Sequence, residues 1–266
     1  MGVASTDRQA DVLLVVPTLG RRLSFLRDSL SSIRSQDVSS DVVIVTPSNG
    51  DEIRDLSREF DAHVLPDPGS LPDAINYGIT EGLTTHAFVS WLNDDDLLEP
   101  GSLRATTTAL REQRNAVVAF GACRYIDQQG QTLWVSRAGP WAPRILGWGP
   151  DLIPQPGMLV RASAWREVGG LDPRFSLAFD LDLLLRVRKF GRLVDTGQIL
   201  SSFRWHPESL TVDDRAKNIT ESERAKRAAL RPELQRFAWV WEPPVRLATR
   251  LAVREVNRRA KQLGAG

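Results

Sequence analysis

Cysteine occurs once in 266 residues. That single residue, Cys123, excludes an intramolecular disulfide and any cysteine-rich zinc site, and it fits a reducing cytoplasm. No run of about 18 apolar residues occurs, so no segment is expected to span a bilayer. Residues 1–10 are polar and unlike a secretory leader. Neither a GxGxxG nor a GxxxxGKS/T stretch is present, which sets aside dinucleotide oxidoreductases and P-loop enzymes. What remains is ordinary globular material, 42% hydrophobic and 25% charged, long enough for a substantial core. The net charge of +1 hides an asymmetry. Residues 1–215 hold 28 Asp+Glu against 22 Lys+Arg, whereas residues 216–266 hold 5 against 12. A basic tail follows an acidic body.

The most informative stretch is residues 86–103, HAFVSWLNDDDLLEPGSL. Residues 87–92 read as a buried strand. The strand ends in Asn93, Asp94, Asp95 and Asp96, and Pro100 with Gly101 opens a helix from Ser102. Three adjacent carboxylates repel one another, and the arrangement calls for a cation or polar ligand. Oxygen-only ligands favour Mg²⁺ or Mn²⁺ completed by substrate phosphates. The competing reading is a solvated turn whose Asp caps the next helix. The triplet is no EF-hand, because Glu99 stands where that loop needs glycine.

The flanking sequence alternates strand and helix. Strands are expected at 11–16, 41–46 and 63–65, and helices at 22–35, 52–60 and Leu71–Gly82, the last with a Ser70/Asp73 capping box. Such β-α alternation predicts a doubly wound, mostly parallel sheet with helices on both faces. Further strands are expected at 117–126, 131–135, 158–161 and 199–205, and helices at 163–168 and from Phe179. Residues 138–157, rich in Pro and Gly, read as a long irregular loop of the functional kind. Its Trp141 and Trp148 either stack on sugar rings or cover a core edge.

Several of these segments together resemble family 2 glycosyltransferases, inverting enzymes of the GT-A fold. WLNDDDLLEPGSL resembles their DxD segment, with Asn93 in place of the first Asp. Val-Val-Pro-Thr followed by Arg21 and Arg22 resembles the first strand and turn, and Ala74-Ile75-Asn76-Tyr77-Gly78 the Ala-x-Asn-x-Gly helix. Gly-Gly-Leu-Asp-Pro and then Asp180-Leu-Asp182-Leu-Leu-Leu-Arg resemble the segment that carries the catalytic base, with Phe179 replacing the acid that usually precedes it. Arg204-Trp205-His206-Pro207-Glu208-Ser209 resembles the Arg-x-His-x-x-Ser segment near the domain end.

The resemblance implies a hexosyl- or deoxyhexosyl-transferase using a nucleotide-sugar donor and Mn²⁺ or Mg²⁺. Asp180 would be the base, and Asp95 and Asp96 the metal contacts. Pro17, Thr18, Arg21, Asp67, Asn76, Asp94, Asp95, Arg204 and His206 would form the donor site, with His206 at the diphosphate or a metal position. Trp141, Trp148 and Asp182 would face the acceptor, a glycan or lipid-linked hydroxyl. The family's Asp-Asp-Gly-Ser after the second strand is replaced by Thr46-Pro47-Ser48, so the donor base stays open; Asp67 either substitutes or merely forms a turn.

The expected organisation is a flexible N-terminus (1–10), a GT-A domain (11–215) with nucleotide-binding (11–103) and acceptor (104–215) halves, and a basic helical extension (216–266). In that extension Arg246, Arg250, Arg254 and Arg258 fall at i, i+4 steps after Trp239 and Trp241. Such a helix lies peripherally on the inner face of an anionic membrane, docks on the acidic body, or dimerises. No nucleic-acid partner is expected. The rivals are a sugar-nucleotide nucleotidyltransferase, which should carry a Gly-rich basic loop after strand one, and a non-catalytic sugar- or nucleotide-binding relative, which would need no base.

Overall fold

The computed structural model describes residues 10–48, 50–205, 215–230, 232–235 and 243. His206, Trp239, Trp241 and the arginine stripe of the tail lie outside the described residues.

The first half is the alternation expected. Strands β1 (Val12–Pro17), β2 (Ser40–Thr46), β3 (Ala62–Pro66) and β4 (Phe88–Trp91) are separated by helices α1 (Leu23–Arg34), α2 (Asp51–Glu59) and α3 (Leu71–Gly82). The strands run parallel in the order β3-β2-β1-β4. β1 is buried along its whole length, which is why it reads as continuous VLLVVP rather than an alternating strand. Leu13 and Val15 face one core layer with Ile75 and Ile79 of α3. Val12, Leu14 and Val16 face the other, with Leu26, Leu30 and Ile33 of α1. Gly78 lets α3 settle on β1, since a Cβ there would meet Val15 Cγ1 at 2.8 Å. The capping of α3 by Ser70, whose Oγ accepts from the Asp73 N–H at 3.3 Å, is also present.

The second half extends the sheet with mixed directions. It comprises β5 (Leu97–Leu98), α4 (Ser102–Glu112), β6 (Ala116–Ile126), β7 (Thr132–Ser136), α5 (Ala142–Ile145), β8 (Leu159–Arg161), α6 (Ala162–Val168), α7 (Phe179–Val187) and β9 (Arg192–Arg204). β8 lies antiparallel between β4 and β6, β9 pairs parallel with β6, and β5 closes the order antiparallel to β9. Helix α8 (Arg215–Ala229) packs against α7 and buries Ala225 in the same layer as Leu181, Leu184 and Leu185; the short α9 (Pro232–Gln235) follows. The expected fold class is the one observed.

Candidate active site

All four strands of the first half end on the same side of the sheet, where ligands bind in open α/β folds. The β1 turn is drawn to its neighbours by the Thr18 N–H, which donates to Val45 O at 2.9 Å, and the β3 end by the Asp67 N–H on Thr46 O at 3.1 Å. Pro17 and Thr18 are buried at this edge and Arg21 is exposed. Thr18 Oγ1 donates to Asp94 Oδ2 at 2.5 Å, tying the first turn to the acidic turn 76 residues later. Asp67 Oδ1 accepts from the Gly69 N–H at 2.8 Å, so Asp67 organises its own turn at this edge.

The acidic triplet divides into two kinds of carboxylate. Asp94 and Asp95 are half-buried, and Asp95 Oδ2 lies 3.6 Å from Arg22 Nη1. Asp96 is fully buried. Its Oδ1 accepts from the Arg204 N–H at 3.2 Å and its Oδ2 from Asn93 Nδ2 at 3.1 Å. Burial above all, then the Asp95 charge, pushes the Asp96 carboxyl well above the usual range, against the lowering effect of those two hydrogen bonds. Asp96 is thus turned into the fold as an anchor while Asp95 faces outward.

Arg204 is an anchor of the same turn. It donates to Asp95 O (3.2 Å), Gln128 O (2.9 Å) and Asp28 Oδ2 (3.2 Å), and its guanidinium stacks 4.3 Å over the Phe25 ring. Only 3% of Arg204 is exposed, so its planar fork braces the turn from beneath.

Asn76 serves the other half of the site. Its Nδ2 donates to Leu171 O and its Oδ1 accepts from the Leu171 N–H, both at 2.8 Å. It thereby brackets the Gly169-Gly170-Leu171 turn to α3. Gly170 has φ +77°, and a Cβ there would stand 2.5 Å from Asn76 Oδ1; the turn requires glycine.

That turn leads to α7 and Asp180. Phe179 packs on Trp91, the last residue of β4, at a ring separation of 6.1 Å, and Trp165 meets the same indole edge-on. Asp180 follows at the helix start, half-buried, its Oδ1 accepting from the Leu181 N–H at 2.8 Å. Burial raises its carboxyl to about 6 despite that hydrogen bond. Asp182 is buried and faces Arg186, whose Nε donates to it at 2.8 Å, so it braces α7 rather than reaching the cleft.

Residues 138–157 supply the other wall, and their C-terminal end is pinned to the sheet. Ser90 Oγ donates to Met158 O at 2.5 Å, Gln155 Nε2 to Trp91 O at 3.0 Å, and Ser201 Oγ to Pro156 O at 2.6 Å. Trp141 and Trp148 are 47% and 55% exposed on this segment. It also brings in Asp151, a residue with no sequence motif around it. Asp151 reaches solvent within a surround of protein. That surround first, and the Asp180 charge second, raise its carboxyl to about 7; the Ile153 N–H and Lys226 act the other way. Asp151 and Asp180 therefore titrate as a pair.

The residues fit a divalent cation of the Mg²⁺ or Mn²⁺ kind. Among the described residues no three of His, Cys, Asp and Glu form a complete cage. Such ions need only one or two carboxylates, with water and phosphate completing the shell. Asp95, with Asp94 beside it, is the outward-facing carboxylate that meets this requirement.

The family model for glycosyl transferase family 2 matches residues 13–163, more than half of the chain. The chain belongs to family 2. The matched span runs from β1 through the acidic turn to the start of α6. No curated protein matches the sequence. Solved structures share the fold of this family 2 chain. Residues 1–349 of TarS from S. aureus match at 16% identity and a TM-score of 0.61, over 85% of this chain and 68% of that one. The same TarS segment in complex with UDP-GlcNAc gives 14% and 0.64 over 85% and 69%. The mannosyltransferase PcManGT from Pyrobaculum calidifontis, in complex with GDP-Man and Mn²⁺, gives 13% and 0.58, covering 94% of this chain and 76% of that one.

Proposed function

We propose that this family 2 glycosyltransferase inverts configuration, moving a sugar from a nucleoside-diphosphate donor to an acceptor hydroxyl with Asp180 as general base. The observation that carries the reading is the Asp180 carboxylate. It lies at the start of α7, half-buried, with its carboxyl raised to about 6. A base needs an affinity for protons near the working pH, and an ordinary aspartate has too little.

The acceptor hydroxyl gives its proton to Asp180 while its oxygen attacks the anomeric carbon opposite the diphosphate. The bond from that carbon to the diphosphate oxygen breaks, and the electron pair leaves with the nucleoside diphosphate. One displacement inverts the anomeric centre, and no covalent sugar–enzyme bond forms. Thr18, Asp94 and the exposed Arg21 border the donor edge, with Asp67 near the β2 and β3 ends for the base. Asp95 would hold a divalent cation, which would supply positive charge for the leaving diphosphate. Asp96 and Arg204 keep the acidic turn in shape from within. Trp141 and Trp148 offer indole faces to the acceptor's sugar rings.

The nucleotide sugars seen with TarS and PcManGT support a donor of that class. The acceptor proposed is an envelope-destined or lipid-linked glycan at the inner face of a membrane. The basic extension, 12 Lys+Arg against 5 Asp+Glu, would be drawn to anionic headgroups. No described helix is long and apolar enough to cross a membrane.

A thermal-shift screen of nucleoside diphosphates and nucleotide sugars with Mn²⁺ tests the class. Stabilisation by one base class is expected. A matching response to nucleoside triphosphates would favour a nucleotidyltransferase, and no response to any nucleotide would favour a non-catalytic relative.

A further inference from the structure

Helix α8 meets both segments that carry the paired carboxylates. Glu221 is 8% exposed and points at the chain entering α7. Its Oε2 accepts from three successive N–H groups, Ser176 at 2.9 Å, Leu177 at 2.8 Å and Ala178 at 3.1 Å. Its Oε1 accepts from Ser176 Oγ at 2.9 Å. Five residues on, Lys226 Nζ donates to Gly149 O at 2.6 Å, two positions before Asp151. Between them Arg224 lies 5.2 Å over the Phe175 ring, and Ala225 is buried in the core.

Ala178 is the N-cap position of α7 and makes no side-chain cap. A helix start leaves backbone N–H groups in need of acceptors, and its dipole favours a negative charge nearby. Glu221 supplies that acceptor and charge from 43 residues away in sequence. Burial alone would raise its carboxyl, but the hydrogen bonds outweigh burial and hold it below the usual range. The grip ends two residues before Asp180, so it sets the height and direction at which α7 begins.

We propose that Glu221 is a positioning residue for Asp180: by clamping the three amides before α7 it fixes where the base points into the cleft. The proposal rests on the reading of Asp180 as the base. It makes α8 a working part of the active site, joined to the Asp180 side through Glu221 and to the Asp151 side through Lys226.

The test uses the full-length protein labelled with ¹³C at aspartate carboxyls, with the Asp180 resonance assigned by its loss in Asp180→Asn. Asp151 couples to Asp180 and Lys226 acts on Asp151, so both stay intact. In wild type the resonance should titrate near 6. In Glu221→Ala it should move towards the ordinary aspartate range, while an unchanged circular dichroism spectrum serves as the check on folding. Glu221→Gln retains an acceptor oxygen for the amides and should keep the wild-type titration. An Asp180 titration unchanged in Glu221→Ala would overturn the proposal. So would an equal shift in both variants, because that would report a lost charge rather than a lost position. Steady-state kinetics with the donor found in the screen give the second readout. Glu221→Ala should lower kcat by up to ~10²-fold, as misplacement of a reacting group by about 1 Å does, with donor KM unchanged and Glu221→Gln restoring most of the rate. If Asp180→Asn itself leaves turnover intact, the base assignment fails, and the carboxyl titration still judges the clamp. If Asp180→Asn is inactive and Glu221→Ala is not slowed, the clamp fails alone.

Discussion

Turnover should follow the ionisation of the Asp180–Asp151 pair. With the Asp180 carboxyl near 6, about half the enzyme carries an ionised base at pH 6, and only about a tenth at pH 5, since one pH unit is a tenfold change. A base must be unprotonated to work, so kcat should rise with slope one up to pH 6 and then bend towards a plateau. Asp151, near 7, ionises next and places a second negative charge beside the base. That charge raises the proton affinity of Asp180, so a shallow further rise should follow. Asp151→Asn removes the second bend and keeps the first, because burial rather than the neighbouring charge is what holds Asp180 up. Asp180→Asn keeps the size and loses the proton acceptor. Its kcat should drop by about 10²–10⁴-fold and lose its pH dependence across the same range. The assay is release of nucleoside diphosphate at saturating donor from pH 4.5 to 8.5, together with nucleotide calorimetry to show that donor affinity is kept. A wild-type profile flat between pH 5 and 8, or an Asp180→Asn profile with the same bend, would refute the reasoning. Retention of anomeric configuration in the product, read by NMR, would refute the single displacement.

Asp95→Ala should weaken nucleoside-diphosphate binding in calorimetry with Mn²⁺ and abolish transfer, and wild-type activity should disappear on EDTA treatment; activity indifferent to both would remove the metal from the account. Asn76→Ala leaves the Leu171 N–H and C=O without their partners, a loss of about 2–3 kcal/mol, seen as a fall in Tm of roughly 4–12 °C. Arg204→Met should cost about 2–3 kcal/mol in denaturant unfolding, below the figure for a fully buried ion pair because Asp28 is 53% exposed and rehydrates. Full-length protein should co-sediment with anionic liposomes at low salt, and a chain ending near Asp214 should not; equal binding to neutral vesicles would favour a tail that packs on protein.

The elements legible in the sequence were those whose burial is uniform. β1, with every residue buried, and α3, with its Ser70 cap and its glycine against β1, were found to within a residue or two. β9 was only half visible. Residues 199–204, with Ile199, Leu200 and Phe203, read as a strand, whereas the preceding Arg192–Gln198 stretch buries just Leu193 and Val194. That stretch is a strand because β6 lies beside it, and the register shifts where a Cβ on Gly121 would stand 2.5 Å from Gln198 O. Two-residue β5 leaves no pattern at all. For the site, the position of Asp180 at a helix start was readable, while the uses of its neighbours were not. The i, i+4 spacing of Asp182 and Arg186 was the available sign that Asp182 is paired within the helix. Sequence spacing could not reveal that Asp96 turns inward and Asp95 outward, because adjacent residues leaving a strand differ only by the contacts each meets. Asp151 lies in a Pro/Gly-rich segment, and Glu221 in a helix full of charge. Both acquire meaning from residues tens of positions away.

The Trp91 indole carries a consequence for how such a catalyst can be remodelled. It stands two residues before the acidic turn and touches Phe179, the residue next to Asp180. The span between the acidic turn and Asp180 is therefore written into an aromatic joint of the interior, where dense packing resists stretch. Residues 138–157 are tied at their far end to Ser90, Trp91 and Ser201 by side-chain-to-backbone hydrogen bonds. Exchanging the exposed Trp141 and Trp148 should therefore change which acceptor fits, while the stroke from hydroxyl to anomeric carbon keeps its length.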